Sequence, residues 1–281
     1  MREIEASKIT ECVERLCREA AFYLPEDVKA RFREMQANEE SPVGRLVMEQ
    51  LLANAEIAAN EQVPMCQDTG LAVVFVEWGQ DCHLSGATLQ EAVDEGVRRA
   101  YKDNFLRKSV YSHPYRRDKN TGDNTPAIVH LKMVAGDKVK ITLAAKGGGS
   151  ENMSAVAMMK PADGVEGVKR FVVEQVKKAG SNPCPPIIVG VGIGGNFERV
   201  AQLAKESLLC PLDEANPDPE LAALEAELLE LVNKTGVGPG GLGGTQTAAA
   251  VKVKMAPCHI ASFPVAVNIQ CNAARHKEGE V

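Results

Sequence analysis

The chain has 281 residues, 25% of them charged, and a formal net charge of −6 with both signs mixed along its length. It is long enough to bury a sizeable core. It has no basic block of the kind that tracks nucleic acid, and its longest apolar runs, such as Leu71–Val76, are far too short to cross a bilayer. The first residues, Met-Arg-Glu-Ile-Glu, contain no apolar signal core, so a cytoplasmic location is expected.

In chain order, Ile9, Val13, Leu16, Cys17, Ala20 and Leu24 recur at helical spacing and predict a first helix. Pro25 starts a second. Ser41-Pro42 reads as an N-cap followed by a first-turn proline, opening a long helix with Val43, Leu46, Val47, Leu51 and Ile57 inward. Leu71–Trp78 is rich in β-branched and aromatic residues and predicts a strand. Thr88-Leu-Gln-Glu91 is a capping box opening a helix to Tyr101. Ala127–Val134 and Lys138–Ala145 alternate in polarity and are joined by Ala135-Gly136-Asp137, which predicts a β-hairpin. A glycine loop, Lys146-Gly147-Gly148-Gly149-Ser150-Glu151-Asn152, comes next. A helix from Pro161 to Lys178 stops at Gly180. Ile187–Val191 predicts a buried strand, and Phe197–Leu209 and Pro219–Val232 predict helices. Six glycines fall within Gly236–Gly244, and strands at Thr247–Met255 and Ile260–Asn268 close the chain. The expectation is one α/β (mixed α+β) domain over residues 1–281. Residues 1–60 are helical, and a mixed β-sheet flanked by helices follows, with glycine-rich loops between the later elements.

Gly190-Val-Gly192-Ile-Gly-Gly195 follows an apolar strand and precedes a helix, as a dinucleotide-binding turn does. Such a site also needs a second parallel strand after that helix. Here the helix runs into a proline-rich segment and another helix, so a tight strand-to-helix turn is the better reading.

The eight cysteines include no C-x-x-C pair, which removes zinc-ribbon and thioredoxin motifs. Without a signal peptide a disulfide framework is not expected. Cys12 and Cys17 belong to the first helix. Three others lie among turn-forming or polar residues: Cys66 in Met65-Cys66-Gln67-Asp68-Thr69-Gly70, Cys184 in Asn182-Pro183-Cys184-Pro185-Pro186, and Cys271 in Asn268-Ile269-Gln270-Cys271-Asn272-Ala273-Ala274-Arg275. Three thiolates can hold three irons of a four-iron cluster and leave the fourth open to substrate. The gaps of 118 and 87 residues carry no such signal by themselves.

Read together and in this order, these segments and the Lys146–Asn152 loop resemble the iron–sulfur hydro-lyases of the class I fumarase and L-tartrate dehydratase family, in its separate alpha-subunit form. The resemblance covers nearly the whole chain. It implies a [4Fe–4S] cluster on Cys66, Cys184 and Cys271, and reversible hydration of fumarate to L-malate, with L(+)-tartrate dehydration as the alternative. It implies that Asp68 contacts substrate and assists proton transfer, with an Asx-turn as its plainer role. Gln67 would donate to a substrate oxygen. Arg107 would grip a carboxylate, or else is a solvated helix-end arginine. Gly149, with its neighbours Gly147 and Gly148, would offer backbone N–H groups to substrate. His259 would reach substrate across a subunit boundary. Cys271 stands ten residues from Val281, and the expectation is a separate beta subunit that completes the site around a small dicarboxylate. A non-catalytic iron–sulfur or nucleotide-binding protein is the reading from another class.

Overall fold

A computed structural model describes all 281 residues. In chain order the elements are β1 (Arg2–Glu5), α1 (Ala6–Phe22), α2 (Glu26–Asn38), α3 (Pro42–Glu61), β2 (Leu71–Gly79), β3 (Cys82–Ser85), α4 (Leu89–Asp103), β4 (Ile128–Val134), β5 (Val139–Lys146), α5 (Gly148–Glu151), β6 (Ala155–Met159), α6 (Gly164–Ala179), β7 (Ile187–Gly194), α7 (Phe197–Ser207), α8 (Pro219–Asn233), β8 (Ala248–Ala256), β9 (Phe263–Gln270) and β10 (His276–Glu280). The mixture of helices with parallel and antiparallel pairs is the α+β class expected. No helix is long and apolar enough to cross a membrane. The chain forms two compact units: Met1–Leu24 with Ala55–Gly148 and Arg275–Val281, and Pro25–Asn54 with Gly149–Ala274.

The first unit is a four-stranded sheet in the order β10-β5-β2-β4, packed against α1 and α4. Val13, Leu16, Val74, Val76, Val93, Val97, Ile141 and Leu143 fill the space between, each worth about 1.5–3 kcal/mol when fully buried. The helices approach closely because α4 carries Gly96, where a Cβ would stand 2.7 Å from the Thr10 carbonyl oxygen. Thr10 in turn donates its hydroxyl to the Ala92 carbonyl at 2.9 Å. Thr88 and Glu91 form the capping box that opens α4. β1 and β3 add a short parallel pair.

The expected hairpin does not form. β4 and β5 are consecutive in sequence, yet β2 lies between them, parallel to β4 and antiparallel to β5. β2 is the more apolar strand and takes the central place. The 135–138 turn closes over its end, with Gly79 N–H donating to the Lys138 carbonyl at 2.8 Å and Asp81 N–H to that of Gly136 at 3.0 Å. Gly79 has no room for a side chain beside Gly136. β10, which the sequence reading passes over, returns the last residues to pair antiparallel with β5.

The second unit holds a sheet in the order β6-β9-β7-β8. β7 is buried along its whole length. Its Ile187, Val189 and Val191 side chains meet α6 and α8 through Val168, Val172, Val176, Leu228 and Val232. Gly190 and Gly192 face α7, where a Cβ on Gly190 would stand 2.6 Å from Ser207 Oγ and one on Gly192 2.8 Å from the Ala204 nitrogen. The G-x-G-x-x-G pattern is thus a device for close strand–helix packing. The first turn of α7 is capped by Asn196, which accepts from Arg199 N–H at 2.9 Å. A parallel strand does lie beside β7, but it is β8, reached only after two helices, so no strand follows α7 directly.

The orientation of α3 also differs from expectation. Val43, Leu46 and Ile57 are about half exposed (50%, 53% and 51%). The buried positions are Gly44, Met48, Ala55 and Ala58. Gly44 is needed there because the Glu39 side chain fills the space, its Cγ 2.8 Å from where a Cβ would be.

Candidate active site

In the first unit, the loop between α3 and β2 carries Cys66, Gln67 and Asp68, and it is fixed from several sides. Met65 N–H donates to Ala21 O at 3.0 Å. The hydroxyl of Tyr101, 1% exposed, lies 2.9 Å from both the Thr69 and Gly70 carbonyl oxygens. Burial pushes this phenol far up, so it stays a donor. Asn124, fully buried at φ 63, donates to the Gly70 carbonyl at 3.1 Å and accepts from Ser109 N–H at 2.8 Å. Thr69 donates its hydroxyl to the Arg107 carbonyl at 3.2 Å. That bond ties the Arg107 segment to the Cys66 loop, and the Arg107 side chain is exposed.

Asp68 forms the Asx-turn that its place in the loop suggests, and its second oxygen takes a further backbone donor. Its Oδ1 accepts from Gly70 N–H at 3.0 Å, the Asx-turn bond, while its Oδ2 accepts from Gly148 N–H at 2.8 Å. The Gly148 N–H is therefore directed to Asp68 and not left open for substrate. Arg275, 1% exposed, donates from Nη1 to the Asp68 carbonyl. Its Nε and Nη2 are buried with no hydrogen-bond partner, an arrangement that costs about 1–3 kcal/mol per unpaired group. A Cβ on Gly147 would stand 2.9 Å from Arg275 Nη2 and 3.2 Å from Asp68 Oδ2. Arg275 and Gly147 both lie in the quoted motifs, but no local pattern signals that the arginine's partner is a carbonyl 207 residues away.

In the second unit the Cys184 and Cys271 segments meet. Cys184 sits in the left-handed region at φ 53, its N–H bonded to Ser181 O at 3.0 Å. Its carbonyl accepts from Asn272 twice, from the backbone N–H at 3.3 Å and from Nδ2 at 2.7 Å. The glycine-rich run backs this loop: Gly240 N–H donates to Pro185 O at 2.8 Å. At Gly241, with φ 74, a Cβ would stand 2.6 Å from Ser181 Cα. The far side of that run is held by Glu39, a carboxylate only 1% exposed. It accepts from the N–H groups of Ser41 at 2.8 Å, Thr245 at 3.0 Å and Gln246 at 2.8 Å. Burial alone would raise this carboxyl, but the N–H donors outweigh it and hold it below the usual range. Gly149 lies beside the 180–186 segment, where a Cβ would stand 3.3 Å from Asn182 O.

His259 is not brought to Cys271. It lies on the exposed turn between β8 and β9, where its Nδ1 accepts from Ala261 N–H at 3.1 Å. Cys271 follows the opposite end of β9. A strand of this length separates the two by roughly 25 Å.

The cysteines differ in what they can bind. Cys12 and Cys17 are buried in the first unit's core, and burial pushes both thiols up, as it does Cys210. Protonated thiols are poor metal ligands. Cys66 and Cys271 are half-buried and Cys184 is exposed, and no cysteine forms a disulfide. No three His, Cys, Asp or Glu side chains converge as ligands of one ion. A cluster whose irons each take one thiolate does not ask for that convergence, and thiols are the donors that iron–sulfur chemistry uses.

The family described as fumarate hydratase (fumerase) matches residues 10–280. A protein of Methanocaldococcus jannaschii, whose provisional name is L(+)-tartrate dehydratase subunit alpha, is 44% identical over 95% of this chain and 95% of its own length. The L(+)-tartrate dehydratase subunit alpha of Escherichia coli K12 is 31% identical over 96% of this chain and 89% of its own. That of Shigella sonnei matches to the same extent, 31% over 96% and 89%. With its motifs in the family's order and a match along nearly its whole length, the chain belongs to the fumarate hydratase (fumerase) family and is a hydro-lyase.

Proposed function

We propose that the chain is the alpha subunit of an iron–sulfur dehydratase that removes water from a 2-hydroxy C4 dicarboxylate, with L(+)-tartrate as substrate. The substrate assignment rests on one observation: relatives that match 95–96% of the chain carry that name. It replaces fumarate/malate as the leading reading. The fumarate reading stands second, on the family description alone.

Cys66, Cys184 and Cys271 would hold a [4Fe–4S] cluster, which when bound supplies a Lewis acid for the departing hydroxyl. The chain's own residues do the rest. Asp68, two residues from Cys66 and held by two N–H groups, takes part in moving the proton at the carbon next to the one that loses hydroxide. Elimination breaks that C–H bond and the neighbouring C–O bond, and the enol formed from tartrate becomes oxaloacetate. Arg107 grips a carboxylate with its exposed guanidinium. Gln67 offers an amide N–H to a substrate oxygen, and Gly149 adds its backbone N–H. His259, far along β9 from Cys271, serves a site completed by another copy of the chain. A separate beta subunit completes the site and is required for turnover.

The test is a competition between substrates. The complex of this chain with its beta subunit, reconstituted anaerobically, is expected to favour L(+)-tartrate over L-malate by about tenfold or more in kcat/KM. The reverse preference would return the assignment to fumarate hydratase.

A further inference from the structure

We propose that Arg275 is a positioning residue for Asp68. Its buried guanidinium fixes the carbonyl of Asp68, and together with Gly147 it sets where the Asp68 carboxylate stands. The proposal rests on the reading of Asp68 given above and deepens it.

Three observations carry it, all within the first unit. The guanidinium makes one side-chain hydrogen bond, from Nη1 to the Asp68 carbonyl. Its Nε and Nη2 have no partner although the residue is 1% exposed. A core designed only for stability gains little from a buried cation with unpaired nitrogens, and an apolar side chain of similar volume serves it as well or better. What the chain gains from Arg275 is the place of Asp68. Gly147 completes the arrangement. Its φ is not left-handed, so space alone demands glycine: an added Cβ would press on Arg275 Nη2 at 2.9 Å and on Asp68 Oδ2 at 3.2 Å. The guanidinium and the carboxylate thus flank one missing side chain. The next residue, Gly148, donates its N–H to the carboxylate at 2.8 Å. The segment from Ala144 onward is anchored to the same arginine, because Ala145 N–H donates to the Arg275 carbonyl at 2.9 Å. Arg275 therefore holds the Cys66 loop by its side chain and the glycine loop by its backbone.

The experiment uses the cluster-loaded complex with the beta subunit, carrying Arg275→Met, Arg275→Lys, Gly147→Ala, or Arg275→Met with Gly147→Ala. Iron and sulfide content and Tm establish that each variant is folded and loaded. The expected result for Arg275→Met is a fall in kcat of about 10–100-fold, with KM and the affinity for succinate, a non-reacting dicarboxylate, changed by less than about twofold. Arg275→Lys recovers part of the rate. Gly147→Ala falls comparably, and the double variant falls little further, because both changes move one carboxylate. Hydrogen exchange over residues 146–150 reads the same displacement without turnover: the Gly148 N–H, which donates to Asp68, exchanges faster in Arg275→Met. Wild-type kcat and exchange in folded Arg275→Met and Gly147→Ala would overturn the proposal. So would a loss of succinate affinity of about tenfold or more, which would make Arg275 a direct carboxylate ligand. Should Arg275→Met fail to fold, Gly147→Ala decides by the same readings. A wild-type complex that turns over neither tartrate nor malate sinks the functional reading instead, and the exchange measurement then decides on Arg275 alone.

Discussion

Replacing Glu39 with glutamine tests how the glycine-rich run behind Cys184 is held. The carboxylate is 1% exposed and accepts from the N–H groups of Ser41, Thr245 and Gln246. Hydrogen bonds to a charged acceptor contribute about 1.5–3 kcal/mol each, and an amide in this place retains one acceptor oxygen and turns an NH2 group toward N–H donors. The net loss is about 3–4 kcal/mol, which lowers Tm by roughly 6–16 °C for a unit of this size. The charge makes the effect pH-dependent. The folded carboxyl lies below its ordinary value, so its contribution is complete above about pH 4.3 and is lost as pH falls through the lower folded value. Thermal unfolding of wild type and Glu39→Gln across pH 3–7 reads this directly. The gap is expected to be largest at neutral pH and to narrow in acid. A variant within about 2 °C of wild type at neutral pH, or a gap that persists unchanged in acid, would refute the reasoning. Because Gly240 of the same run supports the Cys184 loop through Pro185, the variant is also expected to lose iron faster in air.

Three further outcomes are expected. Gly192→Ala places a methyl against the Val200 carbonyl and the Ala204 nitrogen of α7, at a cost of about 1–3 kcal/mol read as a lower denaturant midpoint; an unchanged midpoint would return the glycine motif to a ligand-binding role. Tyr101→Phe removes the hydroxyl shared by the Thr69 and Gly70 carbonyls, costing about 1–3 kcal/mol, and is expected to lower kcat with the cluster intact. Native-state thiol labelling followed by mass spectrometry is expected to spare Cys12 and Cys17, whose thiols burial pushes up, and to reach Cys66, Cys184 and Cys271 only in cluster-free protein; equal labelling of Cys17 and Cys184 would contradict this.

Local signals were read well from sequence, and long-range ones were not. The α4 capping box, the stripe of α1 and the start of α8 at Pro219 depend on residues a turn apart. The insertion of β2 between β4 and β5 depends on partners more than fifty residues away, and alternation cannot reveal a neighbour that distant. α3 misleads because its buried face is built from Gly44, Met48, Ala55 and Ala58, while the larger aliphatic residues face out. At the site, the cysteine motifs identify the family, but the contact between Asn272 and Cys184 spans 88 residues. Arg275 and Glu39 are charged residues whose burial no pattern of neighbours announces.

The most direct test of the account is iron and sulfide content measured together with L(+)-tartrate turnover in the anaerobic complex, for wild type and for Cys66→Ser, Cys184→Ser and Cys271→Ser. The account predicts a four-iron cluster and oxaloacetate formation in wild type, with both lost in each variant. Full tartrate turnover in Cys184→Ser, or a loaded wild-type complex that turns over neither tartrate nor malate, would contradict it.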